Sequence, residues 1–203
     1  MSNEGKKRGR LIIISGPSGS GKSTICRRLL EDGRFKWSVS ATTRRPRPGE
    51  VDGREYHFLP REEFQEGTKR GDFIEYAEVS GNLYGTPKAR LLKELAKGNV
   101  LIAEVDVQGG MNLMRAFPQA ISIFVEPPGL DTSILAERLR KRGQDDEKTI
   151  RERLALAPQE MEARSRYGFR VTNDTLKRAV AEIKDIIEQQ LKRDKRTSEV
   201  LGG

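Results

Sequence analysis

One cysteine, one histidine and one tryptophan are all that the 203 residues supply of those types. The lone thiol, Cys26, excludes an internal disulfide and any cysteine-built metal cage, and its apolar neighbours suit a small buried core residue. Long apolar runs are missing too. A membrane-spanning helix needs roughly 20 consecutive apolar residues, and no stretch approaches that. The opening MSNEGKKRGR has no apolar segment of the kind that marks a secretory leader, so a cytoplasmic protein with no membrane partner is expected. Acidic residues are outnumbered 30 to 38 by Lys and Arg, for a net charge of +8. Basic surfaces attract phosphate backbones. Part of the excess, however, lies at the ends (Lys6, Lys7, Arg8, Arg10 and LKRDKR), and much of the rest falls in TTRRPRP and ERLRKRG, beside features that point to nucleotide phosphates. No polymeric nucleic acid is expected as partner. The length allows one domain with a core and one or two small inserted lobes.

What is present is a loop for phosphate. The β-branched run Ile12 to Ile14 leads into small residues, after which Ile25, Cys26, Leu29 and Leu30 return at helical spacing: strand, loop, helix. Between them Gly16, Pro17, Ser18, Gly19, Ser20, Gly21, Lys22 and Ser23 fit G-x-x-x-x-G-K-[ST] at every fixed position, with Thr24 following. The glycines let backbone N–H groups close around phosphate oxygens, and a helix N-terminus behind them favours negative charge. Lys22 is expected to bridge the terminal phosphates of ATP and Ser23 to hold Mg²⁺ directly.

After the first helix, FKWSVSATT reads as a strand and RRPRPGEVDG as a loop. EYHFL and FIEYAEV read as short strands, and NLYGTP closes a small β-rich insertion over 37–86. A helix with Leu91, Leu92 and Leu95 on one face leads to NVLIAEVD, a nearly continuous apolar strand; ISIFV repeats that signature and FRVT does so more weakly. DTSILAERLRKRG and DDEKTIRERLALA are helical, separated around Gly143, and the last helix carries Leu176, Ala179, Val180, Ile183, Ile186, Ile187 and Leu191 on one stripe. The expected class is α/β: a P-loop NTPase-type parallel sheet flanked by helices, with a β-rich insertion and a helical, Arg-rich lid. The expected division is a basic tail over 1–10, a single domain over 11–193 (core 11–36, 87–137 and 168–193; lid 138–167) and a flexible tail over 194–203.

Glu104 and Asp106 stand at the end of VLIAEVD, two apart and hence on one side of a strand, where Asp106 can anchor Mg²⁺ through water and Glu104 can meet the acceptor. Arg44 and Arg47 flank Pro46, with Tyr56 nearby; guanidinium forks match phosphate oxygens bidentately, although a plain basic loop has the same spacing. His57 reads as structural, because phosphoryl transfer depends mostly on positioning and charge neutralisation. Arg138 and Arg142 share a helix face and Arg153 lies on the next segment. They can neutralise charge on a moving phosphoryl group, or belong to solvated helix faces.

These motifs, in order, resemble the guanylate kinase family from about Leu11 to Leu191: GPSGSGKST, SVSATTRRPRPGEVDGREYHF, FIEYAEVSGNLYGTP, EVDVQG, and ERLRKRG followed by RERL. The resemblance implies an ATP:GMP phosphotransferase whose insertion binds GMP. It implies that Arg44, Arg47, Tyr56 and Tyr84 hold the GMP phosphate while Ser40, Glu75, Thr86 and Glu104 surround the guanine. Lys22, Arg138, Arg142 and Arg153 would stabilise the transferring group, and Asn173 would approach the adenine of ATP. Thr86 is often Ser and Glu104 is Asp in some members; both substitutions keep the chemical function. Guanine offers two adjacent donors to which one carboxylate fits, whereas adenine offers an acceptor at N1, so Glu75 is the natural base selector. Two rival readings are weighed against this: a non-catalytic scaffold domain of the same fold, disfavoured by the intact loop, and a kinase for a ribose bisphosphate, disfavoured by the guanine-reading acids. The oligomeric state is left open.

Overall fold

Strand β1 (Arg10–Ser15) is apolar on both faces, and the fold follows from covering both. The computed structural model describes residues 9–79, 81–143 and 146–201. It places β1 at the centre of an all-parallel sheet in the order β2 (Phe35–Trp37), β7 (Val100–Glu104), β1, β8 (Ile121–Glu126), β9 (Phe169–Thr172). Successive side chains of a strand point to opposite faces. Ile12 and Ile14 therefore join Ile25, Cys26 and Leu29 of α1 (Lys22–Leu30) and Ala179, Ile183 and Ile187 of α7 (Leu176–Leu201) in one buried cluster. Leu11 and Ile13 join Leu91 of α3 (Lys88–Ala96), Val107 and Leu113 of α4 (Val107–Ala116) and Met161 of α6 (Glu147–Glu162) in another. The P-loop-type parallel sheet flanked by helices, expected from the sequence, is the one formed. Its ligand edge is the C-terminal end of the strands.

A second sheet lies in the order β4 (Tyr56–Phe58), β3 (Ser40–Thr42), β6 (Asn82–Pro87), β5 (Phe73–Val79), parallel between β3 and β4 and otherwise antiparallel. It has its own small core. Phe64 of α2 (Arg61–Arg70) stacks on Phe73 with ring centroids 4.3 Å apart and packs with Ala41 and Leu83. Among the described residues, no helix is long and apolar enough to cross a membrane.

Several sequence expectations are corrected. FKWSVSATT is two strands: Phe35–Trp37 extends the large sheet beside β7, and after Ser38, whose N–H still reaches the Ile102 carbonyl at 2.8 Å, the chain crosses to the small sheet. NLYGTP is a strand, β6, bridging β3 and β5. The insertion is not only β: α2 opens after Pro60 with Glu62 and Glu63 in its first turn, closes with Lys69 and Arg70, and ends on Gly71 in the left-handed region. Those charges complement the helix dipole. Leu92 is 43% exposed, 100° around the helix from the buried Leu91. The helix read as DDEKTIRERLALA runs on through Pro158 to Glu162. The Arg-rich helix α5 (Ser133–Arg142) begins before 138, and Met161 of α6 belongs to the core, so the expected lid boundaries cut through packed helices.

At the ends, residues 1–8 lie outside the described residues, whereas Arg10 is already in β1 and pairs with Asp194 at 2.7 Å. The expected C-terminal tail from 194 onward continues as helix α7 through Leu201, with residues 202–203 outside the described set.

Helix α4 starts at the edge of the sheet because Asp106 caps it, accepting from the Gly109 N–H at 2.6 Å. Gly110 is then pressed against the core: a Cβ there would lie 2.3 Å from Tyr167 Oη and 3.1 Å from Ser15 Oγ. Gly110→Ala is expected to destabilise the protein by about 1–3 kcal/mol through overpacking. In a Tyr167→Phe background, which removes the nearest atom, the same change should cost measurably less. Chemical denaturation of the four proteins in this cycle reads the difference, and equal costs in both backgrounds would place the strain elsewhere.

Candidate active site

The turn from β1 into α1 is made possible by missing side chains. Gly16 has φ +143°, and a Cβ there would meet the Val125 carbonyl oxygen at 2.2 Å; Gly21 has φ +95°, and a Cβ would meet Asn173 Nδ2 at 2.3 Å. Gly21 caps α1 without any side-chain hydrogen bond, and the first turn of the helix has no acid. No side chain of the cap therefore competes with an anion for the N–H groups there.

Lys22 folds back over the loop, donating from Nζ to the carbonyls of Gly16 at 2.6 Å and Pro17 at 2.9 Å. Burial pulls its ammonium below the ordinary lysine value, while Glu160, Glu104 and Asp106 act in the opposite direction. Ser23 donates to Glu104 Oε1 at 2.5 Å, joining the residue expected at the metal to the acid at the end of β7. Asp106 lies past the strand, as the cap of α4, so its position is set by that helix rather than by strand alternation. Burial raises its carboxyl above the ordinary range, opposed by the Gly109 N–H and by Lys22.

Across the cleft, the small sheet presents a second set. Glu75 is buried and accepts from the Thr86 hydroxyl at 2.7 Å. Burial, with a further push from Asp106, lifts its carboxyl to about 7. Arg44 pairs with Glu50 at 2.9 Å and lies over the rings of Tyr56 and Phe58, 5.5 and 5.8 Å from their centroids. Burial works against its charge, yet Glu50 and Tyr84 hold the guanidinium above its ordinary value. Tyr56 and Tyr84 meet edge to face at 5.9 Å, and burial raises the Tyr56 phenol.

A cavity of about 640 Å³ takes in both sets, within the roughly 300–1,000 Å³ usual for ligand sites. Of the expected residues, Gly16, Ser18, Gly19, Gly21, Lys22, Ser23, Thr24, Ser40, Arg44, Arg47, Tyr56, Glu75, Tyr84, Glu104, Asp106, Arg138, Arg142, Arg153 and Asn173 line it. Pro17, Ser20 and Thr86 stand behind the wall: Pro17 offers its carbonyl to Lys22, Ser20 is fully buried, and Thr86 holds Glu75. Asn173 Nδ2 donates to the Ser20 carbonyl at 2.7 Å, and Arg138 donates to the carbonyls of Ser20 and Asn173 at 3.3 and 2.8 Å. Both side chains thus brace the loop against β9. His57 lies outside the cavity wall, its Nε2 against the guanidinium of Arg90.

The sequence reading missed two acids. Glu50, an unremarked member of a loop, organises the arginine turn by accepting from Arg44 and from the Arg47 backbone N–H at 2.7 Å. Glu160 faces the cavity from α6 and was hidden by Pro158, which reads as a helix stop.

The family model described as guanylate kinase matches residues 8–190. The chain is 44% identical over 196 residues to the guanylate kinase of Desulfitobacterium hafniense, covering 96% of this chain and 97% of that protein. It is 42% identical to that of Clostridium tetani over 184 residues, with 91% and 88% covered. Among solved structures, guanylate kinase from Anaplasma phagocytophilum superposes with a TM-score of 0.74 at 32% identity, covering 92% of this chain and 88% of that one.

The lifted Glu75 carboxyl has a consequence for stability. An acid whose folded value is about 7 and whose ordinary value is 4.5 binds more protons in the folded than in the unfolded state between those limits, so its contribution falls as pH rises from about 4.5 to about 7 and is constant above. Glu75→Gln removes the charge and keeps an acceptor for Thr86. At pH 8 without nucleotide this variant should be more stable than the parent by on the order of 2 kcal/mol, and near pH 4.5 the advantage should vanish. Urea unfolding across that range checks it; a pH-independent difference would mean that the carboxyl is not strained by burial.

Proposed function

The chain belongs to the guanylate kinase family, and we infer that its cavity serves that family's reaction with the residues described above. It transfers the γ-phosphoryl group of ATP to GMP, giving ADP and GDP. The observation that carries this reading is the buried Glu75–Thr86 pair facing the same cavity as an intact phosphate loop. Guanine N1–H and N2–H₂ can both donate to one carboxylate, and such donors favour its ionised form, offsetting the burial that lifts it. Ser40 and Glu104 border the same space, and Arg44, Arg47, Tyr56 and Tyr84 form the phosphate end, where Glu50 holds Arg44 in place.

On the donor side, the loop from Gly16 to Thr24 cradles the triphosphate, and Lys22 exchanges its carbonyl partners for phosphate oxygens. Arg138, Arg142 and Arg153 line the cavity and balance charge on the moving phosphoryl group, while Asn173 stands toward the adenine. Mg²⁺ arrives with ATP. The Ser23 hydroxyl and the Asp106 carboxylate are hard oxygen donors of the kind that would suit this ion together with phosphate oxygens and water. Ser23 would hold it directly and Asp106 through water; bound there, it would neutralise phosphate charge. The intact loop weighs against a purely structural interaction domain, and the buried acid at the base site against a ribose phosphate acceptor. A cytoplasmic place in purine nucleotide metabolism is the setting these substrates imply.

A coupled assay of ADP release with ATP and GMP is the direct test, and absence of GMP-dependent turnover would sink the reading. Folded Lys22→Ala is expected to lose about 10²-fold or more in turnover, since it removes a charge bound more tightly in the transition state. Glu75→Gln should lose roughly 30- to 1,000-fold in kcat/KM for GMP, because an amide donor then faces a base donor. AMP should lose nothing or gain slightly. A variant slowed equally for both nucleotides would show Glu75 shaping the lobe rather than reading the base.

A further inference from the structure

The peptide between Ser20 and Gly21 is a part of the phosphate loop that the loop's own sequence does not hold. Its plane turns on ψ of Ser20 and φ of Gly21, and Gly21, at φ +95°, is a residue that tolerates either sign of φ. The Ser20 side chain does not fix it either: the residue is fully buried, and Oγ has no hydrogen-bond partner among the described residues. The hold comes from Asn173, just past the end of β9. Its Nδ2 donates to the Ser20 carbonyl at 2.7 Å and lies where a Cβ on Gly21 would come within 2.3 Å of it. Asn173 is buried and is itself set by its main chain, which donates to the Glu126 carbonyl at 2.9 Å and accepts from Arg138 at 2.8 Å. One side chain thus ties the loop to the edge of the large sheet.

We propose that Asn173 is a positioning residue of the phosphate loop: its amide pins the Ser20 carbonyl, so that the Gly21 N–H at the opposite edge of the same peptide is presented to the phosphates of the donor nucleotide. The inference rests on the reading that the loop binds the triphosphate of ATP. It gives the residue that stands toward the adenine a contribution made through the loop and not through the base. In a trans peptide the C=O and N–H point in opposite directions, so fixing one aims the other. Turned over, the plane would offer phosphate a carbonyl oxygen in place of a donor, exchanging an attraction for a repulsion. Arg138 also reaches the Ser20 carbonyl, at the longer distance of 3.3 Å. A cation that balances charge on the moving phosphoryl group must give that carbonyl up, whereas the neutral amide need not, and Asn173 keeps the plane fixed while Arg138 moves. An aspartate of the same shape would set an acceptor against the carbonyl and lose the hold.

The test compares the full chain with Asn173→Ala, which removes the amide, and Asn173→Leu, which keeps its volume without a donor or a charge. Circular dichroism and equilibrium binding of GMP, whose site lies on the other sheet, check that each variant is folded. Turnover is measured at saturating GMP with two donors, ATP and inosine triphosphate, whose base carries an oxo group where adenine carries its amino group. Both variants should lose on the order of tenfold in kcat/KM with either donor, for one buried hydrogen bond in an oriented site. The ratio of the two donors should stay that of the parent. Amide-nitrogen relaxation dispersion should show exchange at Gly21 in both variants and none in the parent, as the peptide plane turns over. A loss confined to ATP would overturn the proposal and make Asn173 a reader of the base. Parent-like rates with both donors, or a Gly21 amide as quiet as the parent's, would overturn it as well. So would loss of GMP binding in both variants, which would show a general role in folding. Lys22→Ala separates the two levels. If it turns over both donors as the parent does, the phosphate-loop reading fails and the proposal with it; if it loses turnover while the Asn173 variants do not, the proposal alone fails.

Discussion

One ammonium group organises the charge of this site. Lys22 rests on two carbonyls of its own loop while Glu104, Asp106 and Glu160 converge on it from β7, α4 and α6. Those three elements approach the loop from different parts of the chain, and the carboxylates could not be brought so close without a cation among them. Three carboxylates thus act on the one ammonium of the loop, although the cavity as a whole is lined by more cations than acids. The positive charge for phosphate is supplied mostly from elsewhere: Arg138 at the loop's carbonyls, Arg142 and Arg153 along the helical segment, Arg44 and Arg47 in the insertion. Affinity thus depends on groups from several elements acting together, and no single one makes the site sticky to stray anions.

That gathering is possible only because β1 is buried on both faces. A strand covered by α1 and α7 on one side and by α3, α4 and α6 on the other has nowhere to go but out of the sheet at its C-terminal end, and Gly16 makes the exit beneath the Val125 carbonyl. The register fixes what meets it there, since Ile14 pairs with Glu104 on β7 and Ser15 with Phe124 on β8. The geometry of the cavity is in this sense a by-product of core packing: shifting β7 by one residue would turn Glu104 away from the loop.

Much of this is legible in the sequence where local pattern and local function coincide. The phosphate loop, the apolar strands and the arginine turn each announce themselves within a short window, whereas Glu75 and Tyr84 follow only from the family resemblance. What was not legible depended on distant partners. Helix α4 contains two adjacent glycines and so reads poorly as a helix, yet Gly110 is small because Tyr167 and Ser15 press against it. The break in FKWSVSATT exists because two different sheets claim its halves, which no periodicity within nine residues reveals. Helix α2 is a different case, since its acids, bases and terminal glycine are visible in the sequence, but the neighbouring strands drew the reading to a β-rich segment.

Glu50 is an acid of an unremarkable kind in the sequence, and it holds the Arg44 guanidinium at the cavity wall. A site built for phosphates gathers donors and cations that would repel one another or lose their hydrogen bonds when no phosphate is present. A carboxylate on a neighbouring element relieves that without closing the site, because a single acid bonds fewer donors than a phosphate does. Both Glu50 oxygens are bonded, one to Arg44 and one to the Arg47 N–H, so Glu50 can stay while a phosphate joins Arg44 from the open side. Arg44 is thereby fixed at the cavity wall by a partner that is itself doubly held.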